Sequence, residues 1–249
     1  MGRKKEWFET FFAGLCGQVL AGEFDEAANQ RQARTLKKVL GLRRGARVLD
    51  IPCGMGRLTL PLAKMGLGMT GVDLTASYIR RAKKDAKKAG AKIRYGVGDM
   101  RDIEFDGEFD AVVNWFTSFG YFSDEDNLMF LRKARKALRP GGETLIETLN
   151  KSWLVARFRP SEKEVAGGVT CVHRRRFDSR TSRCVDTWWL SNGRRREKHT
   201  IVLCLYDAKS MRALFRKVGF QDIRFFDSAT LGRFTRHSKR MIAVARRPQ

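Results

Sequence analysis

Between residues 46 and 149, short apolar runs alternate with amphipathic stretches at helical spacing. The spacing predicts strands near 46–51, 68–73, 92–97, 109–114 and 143–149, and helices near 56–66, 75–90 and 124–139. Strands separated by helices cannot pair as hairpins, so the chain must build a mostly parallel sheet covered on both faces. Arg139-Pro140-Gly141-Gly142 is expected to stop the last of these helices. Ahead of this region, Phe8, Phe11, Phe12 and Leu15 predict a helix over 4–20. Ala33, Leu36, Val39 and Leu40 predict a second over 27–41, with Asp25 as its N-cap.

After residue 150 the period changes. Residues 169–178, 182–191 and 199–206 read as three strands with no helix between them, joined by turns at Asp178-Ser179-Arg180 and Asn192-Gly193. A helix at 207–218, closed by Gly219, and strands near 220–227 and 240–246 then resume the first pattern. The expected organisation is an N-terminal helical lid (1–41), a core (42–149) that is completed by 207–249, and an antiparallel β meander inserted over 150–206.

The chemistry concentrates at strand ends. Val48-Leu49-Asp50-Ile51-Pro52-Cys53-Gly54-Met55-Gly56-Arg57 reads as a buried strand ending on an acid, a glycine-bearing turn and the start of a helix. Such a turn lets backbone N–H groups approach a ligand closely. Asp73 ends the next strand and Gly98-Asp99-Met100 follows the third. A dinucleotide fingerprint wants glycine or alanine at position 59, which is Thr59, and has no use for an acid at position 50.

Taken together, VLDIPCGMGR, GVDLT, GDMRDI, FDAVVNWFTSFGYF and LRKARKALRPGGETLIET resemble the class I S-adenosylmethionine-dependent methyltransferases, over roughly residues 30–149 and 207–247. One departure is Cys53, where many members have glycine. The resemblance implies an α/β fold: a Rossmann-like, mostly parallel seven-stranded sheet with helices on both faces, here carrying the antiparallel meander and the N-terminal helices. It implies S-adenosyl-L-methionine as the cofactor. Gly54 and Gly56, with Cys53 in the same turn, are expected to lie against its methionine moiety, and Asp50 to hold the turn or reach the amino group. Asp73, followed by Leu74, is expected to accept from the ribose hydroxyls, which suits a carboxylate with two oxygens. Asp99 is expected to accept from the adenine amino group with Met100 against the ring, and Asn114 and Trp115 to lie near the sulfonium.

The acceptor side is less constrained. The run after the fourth strand lacks the (D/N)-P-P-(Y/F) of amino-methylating nucleic-acid enzymes, and no cysteine lies between Cys53 and Cys171 to attack a pyrimidine ring carbon. Trp115, Phe116, Phe119, Tyr121 and Phe122 instead form an apolar wall, as in small-molecule and ubiquinone-type methyltransferases. No catalytic base is identified. The candidates are Tyr121, His173 and His199, and the acceptor candidates are Phe119, Tyr121, Arg174, Arg176 and Trp188. Phe8, Phe11 and Gln32 are candidate contacts from the lid.

Fifty basic residues against 27 acidic give +23, with 26 and 19 up to residue 149 but 24 and 8 after it. Such an excess suits an anionic acceptor, a nucleic acid or a solvated surface. Three readings therefore stand: methyl transfer to an O, N or C atom of a small molecule, anionic ones included; an RNA methyltransferase or RNA-associated protein; and a non-catalytic cofactor-binding subunit. A homodimer through the meander is a further expectation. No run is apolar enough to span a bilayer and no signal-like segment is seen, which predicts a cytoplasmic protein. The five scattered cysteines predict free thiols and no metal, with a soft-metal site only if Cys171, Cys184 and Cys204 meet across their strands.

Overall fold

The computed structural model describes residues 6–12, 14–23 and 25–249. Its main sheet contains β1 (Arg47–Asp50), β2 (Gly68–Asp73), β3 (Arg94–Val97), β4 (Phe109–Asn114), β5 (Leu138–Leu149), β10 (Gln221–Asp227) and β11 (Arg240–Arg246). The order is β10-β11-β5-β4-β1-β2-β3. Strands β5, β4, β1, β2 and β3 pair in parallel, and β11 enters antiparallel to both β5 and β10. The strand order reverses direction between β1 and β4, so a crevice opens there beyond the carboxyl ends of the strands.

Alternation along each strand sets the two faces. Leu49, Val112 and Ile146 pack with Phe130, Leu131 and Phe215 on one face. Val48, Ala111, Val113 and Leu145 pack with Leu36, Leu58 and Leu62 on the other. The first face is covered by α6 (Asp124–Ala137) and α8 (Ala208–Lys217), the second by α3 (Glu26–Val39) and α4 (Thr59–Lys64). Helix α5 (Ala76–Lys88) packs against β2 and β3. Asp25 does cap α3, accepting the Ala28 N–H at 2.6 Å.

Four expectations change. The helix predicted over 4–20 is two helices, α1 (Trp7–Phe11) and α2 (Leu15–Glu23), with residues 4, 5 and 13 of that span lying outside the described residues. Gly14 takes φ +75° between them, and Glu197 accepts the Leu15 N–H at 3.1 Å. Helix α6 ends at Ala137, before Arg139-Pro140-Gly141-Gly142, which already belongs to β5. The insertion holds an extra helix, α7 (Lys151–Ala156), and a fourth strand, β6 (Ser161–Ala166), ahead of β7 (Val169–Asp178), β8 (Arg183–Ser191) and β9 (Arg196–Cys204). Finally, the β8–β9 hairpin uses positive φ at Gly193 but not at Asn192. The Asn192 side chain instead accepts the Arg194 and Arg195 N–H groups, at 3.2 and 2.9 Å.

The inner face of this second sheet packs on the N-terminal helices. Phe11, Leu15, Cys16 and Val19 meet Val169, Cys171, Leu190 and Ile201 in one apolar cluster. The register separates the three candidate thiols: Cys171 lies opposite Leu190, Cys184 opposite Leu203 and Cys204 opposite Arg183. Among the described residues no group of three or more His, Cys, Asp or Glu is placed to hold a metal ion, and no helix is long and apolar enough to cross a membrane.

Candidate functional site

The crevice at the ends of β1, β2 and β4 is a deep cleft of about 1150 Å³, its open mouth included. Its floor is the turn after β1. Cys53 donates its N–H to Val72 O (2.9 Å), and Gly56 closes the turn onto Cys53 O (3.0 Å). Gly54 and Gly56 both take positive φ, +55° and +80°. A Cβ on Gly56 would lie 2.4 Å from the Tyr95 hydroxyl oxygen. Gly56→Ala therefore combines a left-handed backbone with a clash. It is expected to cost about 2–4 kcal/mol, visible as a drop in melting temperature; an unchanged melting temperature would refute this role for the glycine.

At Gly54 the situation is reversed: nothing lies within 4 Å of the Cβ position. The backbone there faces open cleft beside Asp73. The Asp73 carboxylate is held by two backbone donors, Gly54 N–H on one oxygen and Thr75 N–H on the other, each at 2.8 Å. Each oxygen keeps acceptor capacity toward the cleft. Burial raises the Asp73 pKa, and the two backbone N–H groups offset part of that. Asp50 is 3% exposed and accepts the Thr59 hydroxyl at 2.6 Å. Burial pushes its carboxyl up to about 7, against the pull of Thr59 and of the nearby Arg57 charge. Burial likewise raises the Cys53 thiol and the Tyr78 and Tyr121 phenols, so all three remain protonated at neutral pH.

Asp50, Cys53, Gly54, Asp73, Leu74, Asp99, Met100, Trp115 and Tyr121 all line this cleft. Gly56 shapes the turn from behind. Asn114 is fully buried beneath the floor, donating to Ile51 O at 2.9 Å, with Met100 Sδ at 3.6 Å. Asp99 reaches the cleft with its carboxylate forked onto Arg101, whose Nη2 lies at 2.7 Å. Arg101 stacks over the Phe122 ring at 4.4 Å.

The aromatic wall also comes from afar. Phe8, Phe12 and Leu20 of the N-terminal segment line the cleft with Tyr78, Phe116, Ser118 and Phe122. The Tyr78 hydroxyl donates to the Phe12 carbonyl and ties α5 to that segment. Of the three lid candidates only Phe8 lines the cleft. Phe11 points the other way, against Trp188 and His199 (centroids 5.2 and 5.4 Å). Gln32 accepts from Arg57 at 2.6 Å, one layer back.

Several acceptor candidates lie elsewhere. Phe119 is core, packed on Phe130 and Tyr206. His173 is 1% exposed on the inner face of the second sheet, with Asp186 and Glu164 oxygens each at 3.3 Å and the Trp188 ring at 4.2 Å. His199 lies 3.3 Å from a Glu197 oxygen. Arg174 and Arg176 project from the outer face, where Arg174 covers the Trp189 ring. Strand alternation explains the split: His173 and Arg175 share the inward face, and Arg174 and Arg176 the opposite one. No described side chain of β6–β9 lines the cleft. Arg57, Thr75, Tyr78 and Phe12 were missed by sequence reasoning. Only Arg57 carried a signal, as the last residue of the first motif.

This order of strands, with a cleft at the β1/β4 reversal and an acid ending both β1 and β2, defines a Rossmann-like α/β domain. Residues 48–142 match the family model described as a methyltransferase domain. That match lies on the core running from β1 into β5, where the chain is similar to methyltransferase domains. Among curated relatives, the ubiquinone biosynthesis O-methyltransferase of Azorhizobium caulinodans is 36% identical over 120 residues, covering 48% of this chain and 45% of that protein. That of Xanthomonas axonopodis is 32% identical over 111 residues, covering 43% and 45%. The chain thus spans just under half the length of the curated relatives it matches. Among solved structures, the CcbJ methyltransferase of Streptomyces caelestis superposes with a TM-score of 0.80 at 18% identity, covering 97% of this chain and 99% of that one. CalS10, an amino pentose methyltransferase from Micromonospora echinaspora, gives 0.69 at 20% identity, covering 94% and 97%. At these identities the structures establish a shared fold. S-Adenosylmethionine, the donor implied by the resemblance, fits the residues present. The open backbone at Gly54 and the two acceptor oxygens of Asp73 form a cradle that a side chain at position 54 would fill.

Proposed function

We propose that this protein transfers the methyl group of S-adenosylmethionine to an oxygen, nitrogen or carbon atom of a small molecule with an apolar, flat face. The observation that carries this reading is a single cleft with two unlike halves. One half is the glycine turn with Asp50, Asp73 and Asp99; the other is the aromatic wall of Phe8, Phe12, Trp115, Phe116 and Tyr121. Asp73 accepts from the ribose hydroxyls, Met100 packs on the adenine, and the open backbone at Gly54 receives the methionine moiety. The bound donor supplies an electrophilic methyl on a sulfonium. The chain's part is to hold the acceptor in line with that methyl and exclude water, so that proximity does most of the work. The histidines on the second sheet take no proton from an acceptor in this cleft, since neither lines it. The names of the proteins it is similar to, a ubiquinone biosynthesis O-methyltransferase and an amino pentose methyltransferase, are in keeping with a small-molecule acceptor.

Calorimetry with S-adenosylmethionine and with NAD tests the donor. Binding of the first and not the second is expected, and the reverse would sink the assignment. Radiolabelled methyl transfer into metabolite extract and total RNA in parallel tests the acceptor. Label is expected in small molecules. Label confined to RNA would replace this reading, and donor binding without any transfer would favour a non-catalytic subunit.

A further inference from the structure

The turn that follows β4 carries an unusual backbone. Phe116 and Thr117 both adopt left-handed conformations, φ +68° and +62°, although neither is glycine. Side-chain-bearing L-residues avoid this region, and two in succession persist only where surrounding groups over-determine them. Those groups centre on Glu147 of β5, which is 1% exposed. Its Oε2 accepts the Phe116 N–H at 3.0 Å, and its backbone carbonyl accepts the Thr117 N–H at 3.0 Å. Arg240 of β11 forks onto both Glu147 oxygens and gives Nη2 to the Thr117 hydroxyl at 2.6 Å. The Ser228 hydroxyl donates to the remaining Glu147 site at 2.9 Å. Above this network two guanidinium groups lie over the Phe116 ring, Arg240 at 4.9 Å and Arg57 at 5.3 Å. Arg57 is anchored in turn to Asn29 and Gln32 of α3.

A buried ion pair is a poor way to add stability, because desolvation of both charges offsets their attraction. A fully satisfied one does fix a single geometry. Here Glu147 and Arg240 both bond to the 116–117 turn, and Trp115, Phe116 and Ser118 of the same turn line the cleft. We infer that Glu147 and Arg240 are positioning residues. They clamp the 115–118 turn in its left-handed form so that Trp115 and Phe116 present a fixed wall to the acceptor beside the methyl donor. Glu147 and Arg240 do not themselves line the cleft, so they act through the turn. This rests on the methyl-transfer reading above.

The test compares wild type, Arg240→Lys, and Glu147→Met combined with Arg240→Met. The paired change removes both charges and keeps volume, so no lone charge is left buried. Three quantities are measured: amide exchange at Phe116 and Thr117, S-adenosylhomocysteine affinity, and methyl label incorporated from S-adenosylmethionine into metabolite extract. In the paired variant the two turn amides are expected to exchange at least ~30-fold faster, while the Gly54 and Thr75 amides keep their protection. Donor-product affinity is expected to stay within about threefold while label incorporation falls at least ~10-fold, as for a misplaced reacting geometry. Arg240→Lys, which keeps the charge but loses the fork, is expected to show the same split more weakly. If the paired variant fails to fold, Arg240→Lys decides: unchanged exchange and unchanged incorporation overturn the proposal. So does a loosened turn with full incorporation, which would make the clamp purely structural. A wild-type chain that binds the product but moves no label would sink methyl transfer and with it the positioning role. The exchange measurement would still separate that failure from an absent clamp.

Discussion

Asp73→Ala is expected to weaken S-adenosylmethionine binding by about 100-fold or more without unfolding the chain. The carboxylate sits at the end of β2 with one oxygen on the Gly54 N–H and the other on the Thr75 N–H. Two charge-assisted hydrogen bonds to the ribose hydroxyls are worth about 1.5–3 kcal/mol each, and ~1.4 kcal/mol is a factor of ten in affinity. Alanine removes both and also leaves the Gly54 and Thr75 donors without their acceptor, so the turn that receives the methionine moiety loosens at the same time. Asp73→Asn keeps one acceptor oxygen and should fall between the two. Calorimetry on protein whose circular dichroism is unchanged is the measurement. A loss smaller than about threefold in the alanine variant would remove Asp73 from the donor site.

The second large effect is a pH dependence centred on Asp50. Its folded pKa is raised to about 7 by burial, against an ordinary value of 3.8. Between those values the unfolded chain has released the proton and the folded chain still holds it. Folding is therefore unpenalised below about pH 4, becomes progressively less stable as pH rises toward 7, and levels off above that. The full difference is on the order of 4 kcal/mol, since each tenfold change in proton affinity corresponds to about 1.4 kcal/mol. Asp50→Asn keeps a partner for the Thr59 hydroxyl and carries no charge to desolvate. It is expected to match wild type near pH 3.5 and to exceed it by a margin that grows to about pH 7 and then levels off. Asp73 also titrates upward in the folded chain, so the informative quantity is the difference between the two proteins in denaturant unfolding at each pH. Parallel curves would mean that Asp50 is not the group responsible.

The two residues show why the glycine-and-acid half of the cleft was readable in the linear chain. Asp50 and Asp73 each terminate an apolar run, and a parallel sheet places the ends of such runs on one edge whatever the rest of the fold does. The glycines at 54 and 56 are marked by backbone demands that few other residues meet. The strands at 68–73, 109–114, 169–178 and 240–246 fall where the hydrophobic period placed them. Strand β6 escaped notice for the opposite reason. Ser161–Ala166 is charged and mostly exposed, an edge strand whose existence depends on pairing with β7 and not on its own pattern.

The acceptor half was misplaced by the same logic. Histidines, arginines and a tryptophan pair on the meander looked like substrate contacts because those residue types carry chemistry. Yet no described side chain of that sheet lines the cleft. It supports α1 and α2 through Phe11, Leu15, Cys16 and Val19, and the N-terminal segment then supplies Phe8, Phe12 and Leu20. Likewise, Glu147 and Arg240 lie 93 positions apart, and nothing local to either marks a shared role in holding a turn at 116–117.

The sequence by itself determined the parallel core and the glycine-and-acid half of the cleft, because strand alternation, strand-end acids and turn glycines are local consequences of backbone geometry. Only the tertiary structure decided which aromatic side chains line the cleft. That wall is assembled from the chain's first twenty residues, the β4 turn and α5, and their meeting depends on long-range packing rather than on any periodicity within one segment.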